Sequence, residues 1–442
     1  MIGRAEDAPR YADTDVVVVG AGSAGCVAAI AAARTGARVL LIERNAFPGG
    51  TSTAVLDTFY GFYTPGSAAE KVVGGIADDV VAELRAWGPV VERPNSFGAG
   101  TGVTYHPEHL KVAWDTLLRE AGVGVLLHAT VQDAAVDDGR VRTLLVATRA
   151  GLRTVGAAVF VDASGDADLC HHAGFGYELA GGEQPAQTLT TTFRLCNVDV
   201  ERRFRLSKAE LTALMHAAAS DGYDLPRLDG SDHITPVSGM TATIMTRVAS
   251  FERRGEQVVN ATDPDLLTAA EAEGRRQALE YVRFLRDRVP GYERAELAAL
   301  SAQIGVRETR RVHGDYRLAA DDVLGARQFD DQIALCGAPI EDHHGGSDTK
   351  WRYLPDGEAV GVPLRTLLVR DADNALVAGR CFSATHDAHA SVRSMAQCMA
   401  MGQAAGTAAA LAAAAGTTPR EIPAETVRDR LRTDGAVLAI ER

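Results

Sequence analysis

Three glycines, Gly20, Gly22 and Gly25, stand between a β-branched run and an alanine-rich run, and this arrangement leaves the chain few folds. Asp15–Val19 (DVVVV) is continuous, apolar and too short for a helix, so it reads as a strand buried on both faces. Cys26–Thr35 reads as a helix closed by Gly36, and Arg38–Glu43 (RVLLIE) as a second strand, which completes a βαβ unit over residues 15–43. Gly20 permits the tight turn, Gly22 lets backbone approach a pyrophosphate, and Gly25 lets helix and strand pack closely. The helix start offers free N–H groups and a positive dipole end to phosphates. Glu43 ends the second strand, where a carboxylate accepts both hydroxyls of a ribose and repels a 2′-phosphate. The unit therefore predicts a dinucleotide site for FAD or NAD rather than NADP.

A chain of 442 residues exceeds one such unit, so further domains or an insertion are expected. Helices are predicted over 67–87 and Pro107–Ala121, a strand over Gly124–Val131, and a small antiparallel sheet from Val136–Arg149 and Thr154–Val161. The first 14 residues read as a loose tail. Beyond about residue 185 the character changes. Leu189–Asn197 and Met240–Asn260 suggest one sheet, and Asp263-Pro264 starts a helix running to about Val289. Asn374–Gly379 is a buried strand again, followed by a long helix, Met395–Ala415, dense in alanine and glycine. The expected class is α/β: a Rossmann-type FAD-binding domain built from both chain ends (1–185 and 331–442) around an inserted α+β substrate domain (186–330).

Net charge is −13, which gives no general pull on nucleic acid or anionic membrane. The six cysteines are scattered without a CxxC pair, which removes the dithiol of disulfide reductases. The N-terminus has no apolar signal region and no run of 18 apolar residues occurs, so a soluble, cytoplasmic protein with no membrane or nucleic-acid partner is expected. The partners are then a small-molecule substrate and an electron acceptor the sequence does not identify, with homo-oligomerisation left open.

Three features favour FAD over NAD. A flexible, hydroxyl-bearing loop, Gly49-Gly50-Thr51-Ser52-Thr53, follows Glu43. A strand runs into the small-residue turn Ala163-Ser164-Gly165-Asp166. A strand also returns near the C-terminus, Leu376–Gly379, ahead of a glycine-rich helix whose N–H groups can stabilise negative charge on a reduced flavin. No second GxGxxG-bearing unit supplies a separate nicotinamide domain. The motifs of aromatic hydroxylases and of WxWxIP halogenases are not found in the sequence, which demotes both readings.

The stretches DVVVVGAGSAGCVAAIAAARTGARVLLIER, FVDASGDADL, IGVRETRRVHGDY and LVAGRCFSATHDAHASVRSMAQCMAMGQAAGTAAA resemble the FAD-dependent oxidoreductases of the glutathione-reductase-like superfamily. The resembling branch is related to fumarate reductase and succinate dehydrogenase flavoproteins, and the likeness covers about residues 15–415. It implies that Ser23 and Ala24 meet the pyrophosphate, Glu43 the ribose and Arg44 the adenosine half. It places Gly50, Thr51 and Ser52 at the flavin side, Val131 at the adenine through its backbone, and Ala163 and Gly165 at the adenosine half. Gly379 and the segment Arg393–Gln397, with Met395, Ala396 and Gln397, would border the isoalloxazine. His386 or His389 and Arg393 would contact substrate. Arg380 departs from the acidic residue many relatives carry there. The Gly49–Thr53 loop lacks the histidine that anchors flavin covalently in some relatives, so noncovalent FAD is expected.

The candidate chemistry follows. His386 and His343 are the expected proton acceptors, Arg393 an anion clamp or acid, and Arg307 an arginine facing flavin or an anionic substrate; its neighbours Glu308, Arg310 and Arg311 read equally as a structural ion-pair lattice. Arg365 and Arg393 together suggest a small polar or anionic substrate. His386-Asp387-Ala388-His389 shows no third ligand, so no metal is expected. The leading function is hydride transfer between substrate carbon and flavin N5. The alternative is an electron-transfer flavoprotein without its own substrate chemistry, against which the lack of iron–sulfur cysteine spacing argues.

Overall fold

Val16–Val19 are flanked by parallel neighbours on both sides, Val39–Ile42 on one and Val159–Asp162 on the other, which is why their run is apolar without alternation. The structure is a computed structural model describing residues 8–66, 69–93, 98–346 and 349–440. Its main sheet has the strand order Gly124–Leu126, Val39–Ile42, Arg10–Val19, Gly151–Asp162, Arg140–Thr148, Thr130–Asp137. Strand Gly151–Asp162 is long enough to divide its free edge. Its first half pairs antiparallel with Arg140–Thr148, and Phe160–Asp162 pair parallel with Ala375–Val377. The two chain ends thereby share one sheet.

Four expectations change here. The antiparallel hairpin continues the parallel sheet instead of forming its own. Residues 10–14 are strand rather than tail, because Arg10–Thr14 find the edge of Thr154–Ala157. The predicted strand 124–131 breaks at His128, whose φ is +55°, so Gly124–Leu126 joins one end of the sheet and Thr130–Asp137 the other. The helix expected over 67–87 begins at Ile76, and residues 67 and 68 lie outside the described residues.

Met395–Ala415 is helical as expected and packs on the first helix, Ser23–Arg34. A Cβ on Gly402 would sit 2.2 Å from the Ala24 carbonyl oxygen, and one on Gly406 would sit 2.0 Å from that of Ala28. The glycines exist for this backbone-to-backbone approach. The helix is long and apolar enough to cross a bilayer, but 72% of its most apolar stretch is buried inside the fold, as expected of a core helix.

The middle of the chain builds a second core from Phe193, Leu195, Met215, Tyr281, Phe284 and Tyr292. An antiparallel sheet ordered Ser231–Ile234, Thr241–Ile244, Phe193–Cys196, Glu296–Leu300 forms one side. The helix Pro264–Arg288 lies against it, started by Asp263, whose carboxylate accepts from the Leu266 N–H at 2.9 Å. The stretch 240–260, expected to continue the sheet of Leu189–Asn197, divides: Thr241–Ile244 stays in this sheet, and Phe251–Arg254 with Gln257–Asn260 makes a separate hairpin.

Candidate active site

Between the two layers lies a cavity of about 340 Å³. Gly20, with φ of +90°, turns the chain from the central strand toward it. A Cβ on Gly25 would lie 1.8 Å from the Gly20 carbonyl oxygen, so only glycine lets the helix start this close to the strand. Around Gly22 an added Cβ would meet nothing within 4 Å; its backbone faces open space. No side chain caps the helix at Gly22, which leaves its first-turn N–H groups to a ligand. The Gly49–Thr53 loop closes over this end. The Gly49 N–H donates to the Ala21 carbonyl at 2.6 Å, Ser23 Oγ donates to Ser52 Oγ at 3.1 Å, and a Cβ on Gly50 would come 2.9 Å from Gly22 Cα.

Glu43 is buried, and its carboxylate accepts from the Ala21 N–H at 2.7 Å and the Asn45 N–H at 2.8 Å. Each oxygen keeps a second lone pair for a ribose hydroxyl. At the other side of this end stand Ala163, Gly165 and Asp166. Arg380, where relatives carry an acid, donates to Asp166 Oδ1 at 2.7 Å and lines the cavity. The start of the long helix, Met395 and Cys398 behind Ser394, borders the cavity with no side-chain cap.

Of the residues the sequence singled out for the cofactor, Gly20, Gly22, Ser23, Ala24, Glu43, Arg44, Gly50, Thr51, Ala163, Gly165, Gly379 and Met395 line this cavity. Gly25, Ser52, Val131, Ala396 and Gln397 do not. Gly25 and Ser52 support the cradle from behind, and Val131 pairs with Val146 in the sheet. Ala396 is buried, and Gln397 donates to the Gly61 carbonyl at 2.7 Å.

The opposite end of the cavity is cationic. Arg307 donates to the Thr188 carbonyl at 2.8 Å and to Thr190 Oγ1 at 2.6 Å, both neutral acceptors. Burial and the charges of Arg393 and Arg227 pull its pKa well below the ordinary guanidinium value. Arg393 borders the same space with Nε buried and without a hydrogen-bond partner, and it enters no ion pair among the described residues. Burial lowers its pKa too. Arg227 is tied to Asp229 at 2.6 Å. Glu341 is the counter-charge: burial is outweighed by His343, Arg393 and Arg307, which hold its carboxyl down at about 2.

His343 lines the cavity, with Nε2 2.9 Å from Glu341 Oε1 and Nδ1 3.0 Å from Thr349 Oγ1. Burial and Arg307 push it down to about 3, so it is a neutral imidazole. The network then assigns Nε2–H as donor to Glu341 and Nδ1 as acceptor from Thr349.

His386 stands behind this wall and is not among the cavity-lining residues. Its Nδ1 is 2.9 Å from Glu308 Oε2 and its Nε2 is 3.3 Å from Asp342 Oδ1. Burial would lower its pKa, but these carboxylates hold it up at about 9. His389 is fully buried with Nε2 2.8 Å from the Arg380 carbonyl oxygen. Glu308, Arg310 and Arg311 form the structural lattice: Arg311 pairs with Glu308 and Glu178, and Arg310 reaches the Asp166 carbonyl at 2.8 Å. Arg365 turns away from the cavity to Asp331, at 2.9 Å, because Asp331 lies beside it in the adjoining turn. Tyr60, Arg227 and Trp351 also line the cavity but carry no local sequence signal, and Glu341 lines it beside His343.

The family profile described as FAD dependent oxidoreductase matches residues 15–431. The chain belongs to that family. No curated protein matches the sequence. Among solved structures, the flavin-dependent brominase Bmp2 is similar at TM-score 0.50 and 16% identity, over 95% of this chain and 83% of its own. A geranylgeranyl bacteriochlorophyll reductase-like protein from Thermoplasma acidophilum is similar at TM-score 0.47 and 13% identity, over 95% and 83%. The p-nitrophenol 4-monooxygenase from Pseudomonas putida DLL-E4 is similar at TM-score 0.46 and 14% identity, over 95% and 84%. The brominase likeness shows a shared fold. The cofactor of this FAD-dependent oxidoreductase is FAD. The uncapped helix start, the glycine surfaces a Cβ would fill and the buried Glu43 carboxylate fit its dinucleotide half, and the uncapped start of Met395–Ala415 fits its ring.

Proposed function

We propose that this FAD-dependent oxidoreductase exchanges a hydride with a carbon of a small carboxylate-bearing substrate. FAD, when bound, supplies the two-electron chemistry. The observation that carries the reading is the cationic end of the cavity, above all Arg393, whose Nε is buried without a hydrogen-bond partner and which enters no ion pair among the described residues. A buried guanidinium donor without an acceptor costs about 1–3 kcal/mol, and a carboxylate ligand removes that cost. Arg307, bonded among the described residues to a carbonyl and a hydroxyl, has donors left for the same anion.

His343 is the proton acceptor in this reading, at Nδ1 directly or through the Thr349 hydroxyl, with Glu341 orienting Nε2–H and stabilising the imidazolium that forms. The substrate anion strengthens this base. In the free protein Arg307 helps hold the His343 pKa down, so a carboxylate that neutralises the arginine field raises it. Substrate binding and base strength are thereby coupled.

The test is a titration of the flavin absorption band with a carboxylate and with the carboxamide of the same compound. The carboxylate should perturb the band with an affinity that falls as salt rises, and the carboxamide should not. Equal binding of both would defeat the reading.

A further inference from the structure

Residues 340–344 form a strand and its extension, and successive side chains alternate in direction. Glu341 and His343 line the cavity. Asp342 and His344 are not among the cavity-lining residues, and they meet His386 there, from the start of the helix His386–Val392. Asp342 Oδ2 is 2.5 Å from His344 Nδ1, and Asp342 Oδ1 is 3.3 Å from His386 Nε2. We propose that Asp342, His344 and His386 form a binding site for one divalent first-row transition metal ion, distinct from the cavity.

The donor set is two imidazoles and one carboxylate, which suits ions such as zinc, iron(II) or manganese and leaves positions open for water. The three ligand atoms lie within 4.8 Å of one another, so movements of roughly an ångström or less bring each to the 2.0–2.2 Å of a metal bond. The surroundings are those of a built site. His386 presents Nε2 to the cluster while Nδ1 faces Glu308 Oε2 at 2.9 Å, the carboxylate–histidine arrangement that fixes ring orientation in metal centres. Glu308 is itself fully buried and pinned by Arg311. Gln187 Nε2 lies 3.3 Å from both Asp342 Oδ1 and His386 Nε2, and its Oε1 accepts from the His343 N–H at 2.7 Å. His344 is a third exposed, which opens a path for the ion from solvent. No local motif marks this site, because two of its ligands lie more than 40 residues before the third.

An ion here fixes the strand whose other face carries Glu341 and His343, so it positions the cavity wall and does not touch the substrate. The experiment uses full-length holoprotein, stripped with a chelator and dialysed against Zn²⁺, with metal counted by mass spectrometry and FAD by absorbance. One zinc per chain is expected, with X-ray absorption showing N/O ligands at about 2.0–2.2 Å. His344→Ala removes a partly exposed ring whose hydrogen bond among the described residues is to Asp342. It should weaken zinc binding at least about 100-fold and leave FAD content and melting temperature near wild type. His216→Ala, at an exposed helical position, should retain the zinc. Failure of wild type to take up zinc, or uptake unchanged in His344→Ala, overturns the proposal.

Discussion

Replacing Arg393 by methionine separates the two things a buried cation does. In the free protein its guanidinium is desolvated and its Nε has no partner. A buried unsatisfied donor costs about 1–3 kcal/mol, and methionine fills similar length without one. Arg393→Met should therefore leave stability unchanged or raise it by about 1 kcal/mol, an uncommon sign for a buried substitution. With substrate the sign reverses. A hydrogen bond to a charged group contributes about 1.5–3 kcal/mol, which at 1.36 kcal/mol per decade is about 10- to 150-fold in kcat/KM. Denaturant unfolding of the apoprotein gives the first quantity. Steady-state kinetics on a carboxylate substrate, normalised to bound FAD, gives the second. Arg393→Lys should recover part of the loss, because it restores charge without the fork of donors. The reasoning is refuted by destabilisation of more than about 1 kcal/mol, which would mean an unseen partner, or by kcat/KM within threefold of wild type. Loss of FAD with activity per bound FAD unchanged would assign the guanidinium to the cofactor.

His343→Gln should lower kcat by about 10²-fold or more while FAD stays bound, measured as turnover per flavin, since proton transfer by a positioned base contributes on that scale. Gly25→Ala places a methyl 1.8 Å from the Gly20 carbonyl oxygen, so the variant should fail to retain FAD and should melt well below wild type in a thermal scan. Asp57 is buried, and although burial opposes it, His233 at 2.8 Å and Arg194 hold its pKa down from 3.8 to about 2. A depressed carboxyl contributes stability above its unfolded value, here about 2 kcal/mol, and loses it as pH falls from about 4 toward 2. The stability gap between wild type and Asp57→Asn in urea should accordingly narrow between pH 5 and pH 3. Acid precipitation should release FAD into the supernatant. Burial pushes the cavity-lining Cys398 thiol up to about 12, so it offers no ready nucleophile for a covalent link.

The dinucleotide half was legible because its requirements are local. Gly20, Gly22, Gly25 and Glu43 lie within one βαβ unit, where Gly25 packs on the Gly20 carbonyl and Glu43 accepts from the Ala21 N–H. The long helix was legible for a related reason, since Gly402 and Gly406 serve one backbone approach at helical spacing. Long-range pairing was not legible. Arg10–Thr14 look polar and loose until the edge of Thr154–Ala157 reaches them, and a two-sided strand at 151–162 cannot be told from a hairpin arm by its own residues. The substrate end depends on aim, which loops do not encode locally. His386 and Arg365 looked like cavity residues, but Glu308 and Asp342 hold the first and Asp331 the second. Arg307 and Arg310 are three residues apart in one arginine-rich run, yet one faces the cavity and the other the Asp166 carbonyl. Strand alternation could have flagged Glu341 with His343 against Asp342 with His344 had the short strand at Ile340–Asp342 been recognised.

The most direct measurement of the central claim is anaerobic mixing of the holoenzyme, oxidised in one series and chemically reduced in the other, with small carboxylates and their carboxamides while the visible flavin band is followed. A carboxylate that bleaches the oxidised enzyme or restores colour to the reduced one, far faster than its carboxamide, is the predicted result. Redox exchange that proceeds equally with both, or only with uncharged or cationic compounds, would contradict the account.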